Sequence, residues 1–128
     1  MRQLLLDACS FLWVLKAEPR LGRFARELIL DERNQIFVSA ATAWEIAIKR
    51  AIGKLIAPAN IDAIIDEKGF LKLPITPAHA DCVGNLPDHH RDPFDRMLIA
   101  QAQFESLEII SPDHMIARYP VRVVDAEK

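Results

Sequence analysis

The sequence predicts an α/β fold on a mostly parallel sheet of four to five strands. Two observations carry this. Short apolar segments alternate with helical patterns along the whole chain, which is the signature of strand–helix–strand crossovers and of a sheet covered on both faces. Proline directly follows a capping residue twice, at Thr76-Pro77 and Asp92-Pro93, and each pair marks a helix start.

In order, Gln3–Leu6 reads as the first strand. Ser10–Lys16 and Gly22–Leu30 read as helices. Ile36–Val38 is a second short strand. The next helix, Ala40–Ile52, has apolar residues at 43, 46, 47, 48 and 51. Asn60 is expected to cap a short helix through Glu67. Leu71–Ile75 is a third strand, weakened at its end by Pro74. Thr76 and Asp92 open the next two helices, the second running through Phe104. Glu108–Ile110 is a fourth strand, and Val121–Val124 a fifth at an edge.

Composition narrows the function. At 128 residues one domain spanning 1–128 is expected, large enough to bury a core. The charge sum is −2 with a pI near 6.1, so bulk positive charge does not drive any nucleic-acid role. The longest uncharged run, Asn34 to Trp44, has eleven residues, well below the roughly 20 that a membrane span requires. No signal peptide is visible and the two cysteines form no disulfide framework, so the cytoplasm is the expected compartment. The four glycines are scattered, which removes phosphate-cradling loops. No Gly-x-Ser-x-Gly turn or Cys–His pattern supports a covalent nucleophile.

The acids carry the chemistry. Asp7 directly follows the first strand, and Glu45 lies near the start of the helix after the second. Asp92 and Asp95 fall in the first turn of the long helix, and Asp113 follows the fourth strand. In parallel sheets these positions share the carboxyl edge, where sites are built. Carboxylates gathered there repel one another. A hard divalent cation, Mg²⁺ or Mn²⁺, relieves that repulsion, activates water and clamps a phosphate. Four of these five acids also have a plain structural reading, and Asp7, ending an apolar strand where an ionised acid needs a partner, is the hardest to explain that way. Thr42 to Glu45 fits a capping box, and Glu45 with Lys49 an i,i+4 pair. Asp92 fits an N-cap, Asp95 the helix dipole, and Asp113 a turn.

Four segments together resemble the PIN domain family, and most closely its VapC-type toxins. They are Leu4-Leu5-Leu6-Asp7, Val38 through Lys49 with its Trp44-Glu45-Ile46, His90-Arg91-Asp92-Pro93-Phe94-Asp95-Arg96, and Ser111-Pro112-Asp113. The resemblance implies a three-layer α/β/α sandwich. It implies a Mg²⁺-dependent endoribonuclease (Mn²⁺ being an alternative) that is the toxin of a toxin–antitoxin pair. It further implies an antitoxin partner, an RNA substrate and a homodimer. Asp7, Glu45, Asp95 and Asp113 match the family's four acids, as metal ligands and catalytic residues, and Ser111 matches the hydroxyl residue two before the last acid. Asp92 is an additional supporting acid, while Arg91 and Arg96, with His89 and His90, are candidates to contact RNA. The sequence departs from the family pattern at Ala8, where a hydroxyl residue is usual. Two alternatives stay open: a weak or silent PIN-type binding module, and a receiver-like signalling domain. The latter lacks its paired acids and its lysine here.

Overall fold

The computed structural model describes Met1 to Lys128. Five parallel strands form one sheet in the order β3-β2-β1-β4-β5. They are β1 (Gln3–Leu6), β2 (Gln35–Ser39), β3 (Leu71–Leu73), β4 (Glu108–Ser111) and β5 (Val123–Asp125). Six α-helices accompany them: α1 (Ala8–Lys16), α2 (Arg23–Leu30), α3 (Ala40–Ala51), α4 (Ile61–Glu67), α5 (Pro77–Gly84) and α6 (Pro93–Glu105). The expected α/β architecture is present, with every strand parallel.

Period-2 alternation divides the apolar runs between the sheet's two faces. Leu4, Leu6, Ile36, Val38 and Ile110 join one core cluster with Phe11, Leu12 and Trp13 of α1 and Ala25 and Ile29 of α2. Leu5 and Ile109 join the other with Leu98, Ile99 and Ala102 of α6. Leu4, Leu5 and Leu6 are all fully buried, so truncating any of them to alanine costs about 2–5 kcal/mol. No helix is long and apolar enough to cross a membrane.

The strand order places a topological switch point between β1 and β4. The chain leaves β1 towards β2 and β3, then returns across the sheet to β4. Side chains just beyond the carboxyl ends of these two strands therefore face a common crevice.

The element ends refine the expectations. The first helix starts at Ala8 rather than Ser10, because the Asp7 carboxylate caps it by accepting the Ser10 N–H at 2.8 Å. Ser39, not Thr42, caps α3, its hydroxyl accepting from the Ala41 N–H, so Glu45 is in no capping box. Asn60 precedes α4 in a left-handed conformation and makes no side-chain cap. Pro74 lies beyond β3, which closes at Leu73. The fifth strand begins at Val123 rather than Val121. Thr76 caps α5 as expected, and His79 completes a reciprocal box by accepting the Thr76 N–H on Nδ1. Gly22 donates its N–H to the Ala126 carbonyl at 2.8 Å. A Cβ there would lie 2.1 Å from the Lys128 carbonyl carbon, so only glycine admits this crossing.

Candidate active site

Three strand-to-helix or strand-to-turn junctions and one helix N-terminus bring the acids together. At the first junction Asp7 is held from two sides. Its Oδ1 accepts the Ser10 N–H, and its Oδ2 accepts the Ser111 hydroxyl at 2.5 Å. Ser10 in turn donates its hydroxyl to the Ile110 carbonyl at 2.9 Å. Asp7 is only 5% exposed. Burial pushes its carboxyl above the usual range, the Ser111 and Ser10 hydrogen bonds work against that, and Glu45 adds repulsion. An acid in this position favours a positive partner.

Glu45, buried on α3, meets Lys49 one turn later, the Nζ donating to Oε2 at 2.6 Å. Thr42 lies one turn before Glu45 on the same helix face. Its fully buried hydroxyl oxygen has no hydrogen-bond partner.

Asp92 caps α6 by accepting the N–H groups of Phe94 and Asp95 at 2.8 and 3.1 Å. That cap fixes the first turn and aims Asp95 at the cluster. The Asp95 carboxyl is pushed up to about 7, first by burial, then by repulsion from Asp92 and Asp7; His90 draws it back down. At the end of β4 the Ser111 hydroxyl accepts the Asp113 N–H at 3.0 Å while donating to Asp7. The Asp113 Oδ1 accepts the Met115 N–H at 2.9 Å.

His90 closes the arrangement. Its Nε2 lies 3.0 Å from Asp95 Oδ2 and 2.9 Å from Asp113 Oδ2. A continuous line of polar contacts thus runs from Asp7 through Ser111, Asp113 and His90 to Asp95.

The donor set suits a hard divalent cation. Oxygens of Asp95 and Asp113 lie within 4.8 Å of each other and of His90 Nε2, whereas Asp7 and Glu45 stand outside that group, Asp7 joined to it through Ser111 and both repelling Asp95. Asp7 and Asp95 are shifted towards the neutral form, and an unpartnered buried hydroxyl shares the Glu45 face. Covalent chemistry at Cys9 is disfavoured, because burial and Asp7 push its thiol up to about 11. Cys9 and Cys82 are both half-buried.

The basic residues divide. Arg91 is exposed at the rim. Arg96, expected to reach RNA, instead fastens the loop before α6. Its guanidinium donates to the carbonyls of Pro87, His90 and Val83 and to the Tyr119 hydroxyl, at 2.9 to 3.3 Å. An arginine so placed satisfies loop carbonyls that packing shields from water. Tyr119 has a role that the sequence gives no sign of. Its hydroxyl accepts the N–H groups of His89 and His90 at 3.1 and 2.7 Å. No linear signal links it to a loop 29 residues away.

Trp13 is buried and belongs to the core with Phe11 and Leu12, and Leu12 and Trp13 also line a cavity that Glu45 and Lys49 border. Trp44 is 59% exposed and meets Phe94 edge-to-face at 5.1 Å. Trp44, Ile48 and Ile52, four residues apart on or just after α3, form an exposed apolar stripe beside Glu45.

Among curated proteins, Ribonuclease VapC16 of Mycobacterium tuberculosis (strain ATCC 25618 / H37Rv) is 37% identical over 71 residues, covering 40% of this chain and 50% of that protein. The match thus spans half the relative's length. Among solved structures, VapBC2 from Rickettsia felis bound to a promoter DNA fragment aligns with a TM-score of 0.67 at 12% identity, covering 95% of this chain and 97% of that one. DNA-bound VapBC from Salmonella typhimurium gives 0.67 at 19% identity, with 97% and 98% covered. FitAcB from Neisseria gonorrhoeae gives 0.64 at 19%, with 94% and 95% covered. At these identities the structural likeness is one of fold. The family model of the PIN domain matches residues 4–121, a stretch containing all four acids and Ser111, and the chain belongs to that family.

Proposed function

We propose that residues 1–128 form one PIN domain that acts in the cytoplasm as the ribonuclease toxin of a VapC-type toxin–antitoxin pair. The observation that carries the reading is the line Asp7–Ser111–Asp113–His90–Asp95 at the β1/β4 switch point, with Glu45 buried alongside. Asp7, Glu45, Asp95 and Asp113 hold a divalent cation, Mg²⁺ or Mn²⁺. When bound, the cation supplies an activated water and charge neutralisation at a phosphodiester.

The chain's own groups do the rest. Ser111 fixes one Asp7 oxygen, which leaves the carboxylate a single orientation. Lys49 holds Glu45 against the wall of the pocket. Asp92 acts through the α6 cap rather than as a ligand. Arg91, exposed beside the acids, contacts the RNA backbone as a positioning charge.

The partner reading rests on α3. The stripe of Trp44, Ile48 and Ile52 fits the apolar face of an antitoxin helix. From there an antitoxin arginine reaches the acids and pairs bidentately with a carboxylate. A homodimer, also implied by the resemblance, is part of the same proposal.

The test is cleavage of a mixed RNA substrate by the purified chain with Mn²⁺ or Mg²⁺. Cleavage that stops on chelation and is absent from Asp7→Asn supports the reading. Equal cleavage by wild type and Asp7→Asn, with contaminating nuclease excluded, refutes it. A folded protein that binds the cation but cuts no RNA favours the silent binding module.

A further inference from the structure

We propose that His90 is a built-in competitor of the metal: its imidazole donates from Nε2 into the gap between Asp95 and Asp113, and it swings out before a cation takes those carboxylates. The inference rests on the reading of Asp95 and Asp113 as ligands. It adds a residue that sets how readily they become ligands.

At first sight the geometry suggests the opposite role. His90 Nε2 and oxygens of Asp95 and Asp113 lie within 4.8 Å of one another, a spacing at which three groups can share one ion. The second ring nitrogen decides between the two roles. The Asp92 N–H donates to His90 Nδ1 at 3.3 Å. With Nδ1 facing that N–H as an acceptor, the neutral ring that this geometry calls for carries its hydrogen on Nε2. Nε2 then has no lone pair to offer a cation and serves as a donor, which matches its 3.0 and 2.9 Å contacts with two carboxylate oxygens. A ligating histidine has the reverse polarity, donating from its far N–H to an acceptor. Here the far nitrogen faces a donor.

The loop leaves the ring free to move. The His90 backbone is anchored without the imidazole, its N–H to the Tyr119 hydroxyl at 2.7 Å and its carbonyl to Arg96 at 3.3 Å. The side chain retains 17% exposure, so a change of rotamer carries it towards solvent. Displacement breaks two hydrogen bonds to carboxylates, and bonds to charged groups are the stronger kind. In the metal-free protein the same two bonds keep Asp95 and Asp113 from facing each other without a donor. His90 therefore stabilises the empty site and lowers its affinity for the ion.

Calorimetric titration of Mn²⁺ into wild type, His90→Ala and Asp95→Asn tests this, with melting in chelator as a fold check. His90→Ala is expected to bind Mn²⁺ at least tenfold more tightly than wild type and to melt lower in chelator. His90→Asn, whose amide is too short to span both carboxylates, is expected to tighten binding as well. It serves as the test if the alanine variant does not fold. Unchanged affinity overturns the proposal, and weaker affinity overturns it in favour of Nε2 as a ligand. If Asp95→Asn binds Mn²⁺ as wild type does, the ligand reading of Asp95 fails, and the competitor role fails with it. If Asp95→Asn loses binding while His90→Ala matches wild type, only the role of His90 fails.

Discussion

The inner and the outer acids of the cluster are held in opposite ways. Asp7 and Glu45 are buried, and each is fixed by a group belonging to the fold's regular elements: Ser10 and Ser111 for Asp7, Lys49 for Glu45. Asp95 and Asp113 keep side-chain exposures of 17% and 35% and share one imidazole from a loop. The inner pair is set as soon as β1, β4 and α3 pack. The bridge between the outer pair depends on a loop held by Tyr119 and Arg96. Rigidity sits where the charge is hardest to solvate, and adjustability where the acids are open to water.

The largest expected effect separates the two pairs by activity. Under the proposed function, Asp7→Asn is expected to abolish metal-dependent RNA cleavage while preserving the fold, because it removes the proposed inner ligand and also a buried charge. Asp113→Asn is expected to leave measurable cleavage, since an exposed ligand is more readily replaced by water. Cleavage rates for the two variants at saturating Mn²⁺ check this, and equal losses would erase the distinction.

The next effect is a pH dependence of the outer pair. The folded Asp95 carboxyl titrates at about 7, above its ordinary value of 3.8. The folded state therefore holds this proton more tightly than the unfolded state does. The stability it contributes is present below about pH 4 and is lost as pH rises towards 7. Metal-free wild type is expected to lose melting temperature across that window. Asp95→Asn is expected to flatten the profile and to melt higher than wild type at pH 7. A profile unaltered by the substitution would show that the repulsion lies elsewhere.

A third effect concerns the link between the pairs. Ser111→Ala removes the donor to Asp7 and the acceptor of the Asp113 N–H together. Each buried group left unsatisfied costs about 1–3 kcal/mol, measurable by denaturant unfolding. Cation affinity is expected to fall as well, because the freed Asp7 oxygen loses its fixed direction. The smallest effect is at Asp92→Ala, where loss of the α6 cap costs about 1 kcal/mol. Cleavage in that variant is expected to stay within a few-fold of wild type, provided the helix start holds Asp95 in place.

Much of the site is legible in the amino-acid order. Asp7 after an apolar run, and the Asp92-Pro93 pair ahead of a helix, mark two of the junctions that build it. The helix periodicity places Glu45 and Lys49 on one face. What individual residues do is less legible. Asp7 is both acid and helix cap, which sets the start of α1 at Ala8. Ser39 takes the capping role expected at Thr42 and leaves the Thr42 hydroxyl unpartnered. Arg96, a substrate contact by its position in the chain, is a loop fastener in the fold.

By itself the sequence determined the α/β alternation, the four acids and the order in which they occur, because local periodicity, capping residues and chain breakers act over a few residues. Only the tertiary structure decided how those acids are partnered. The contacts of Ser111 with Asp7, His90 with Asp95 and Asp113, and Tyr119 with the His89–His90 backbone span separations of up to 104 residues. Such contacts follow from the packing of β1 against β4, which closes the crevice, and no local rule encodes which donor then fills it.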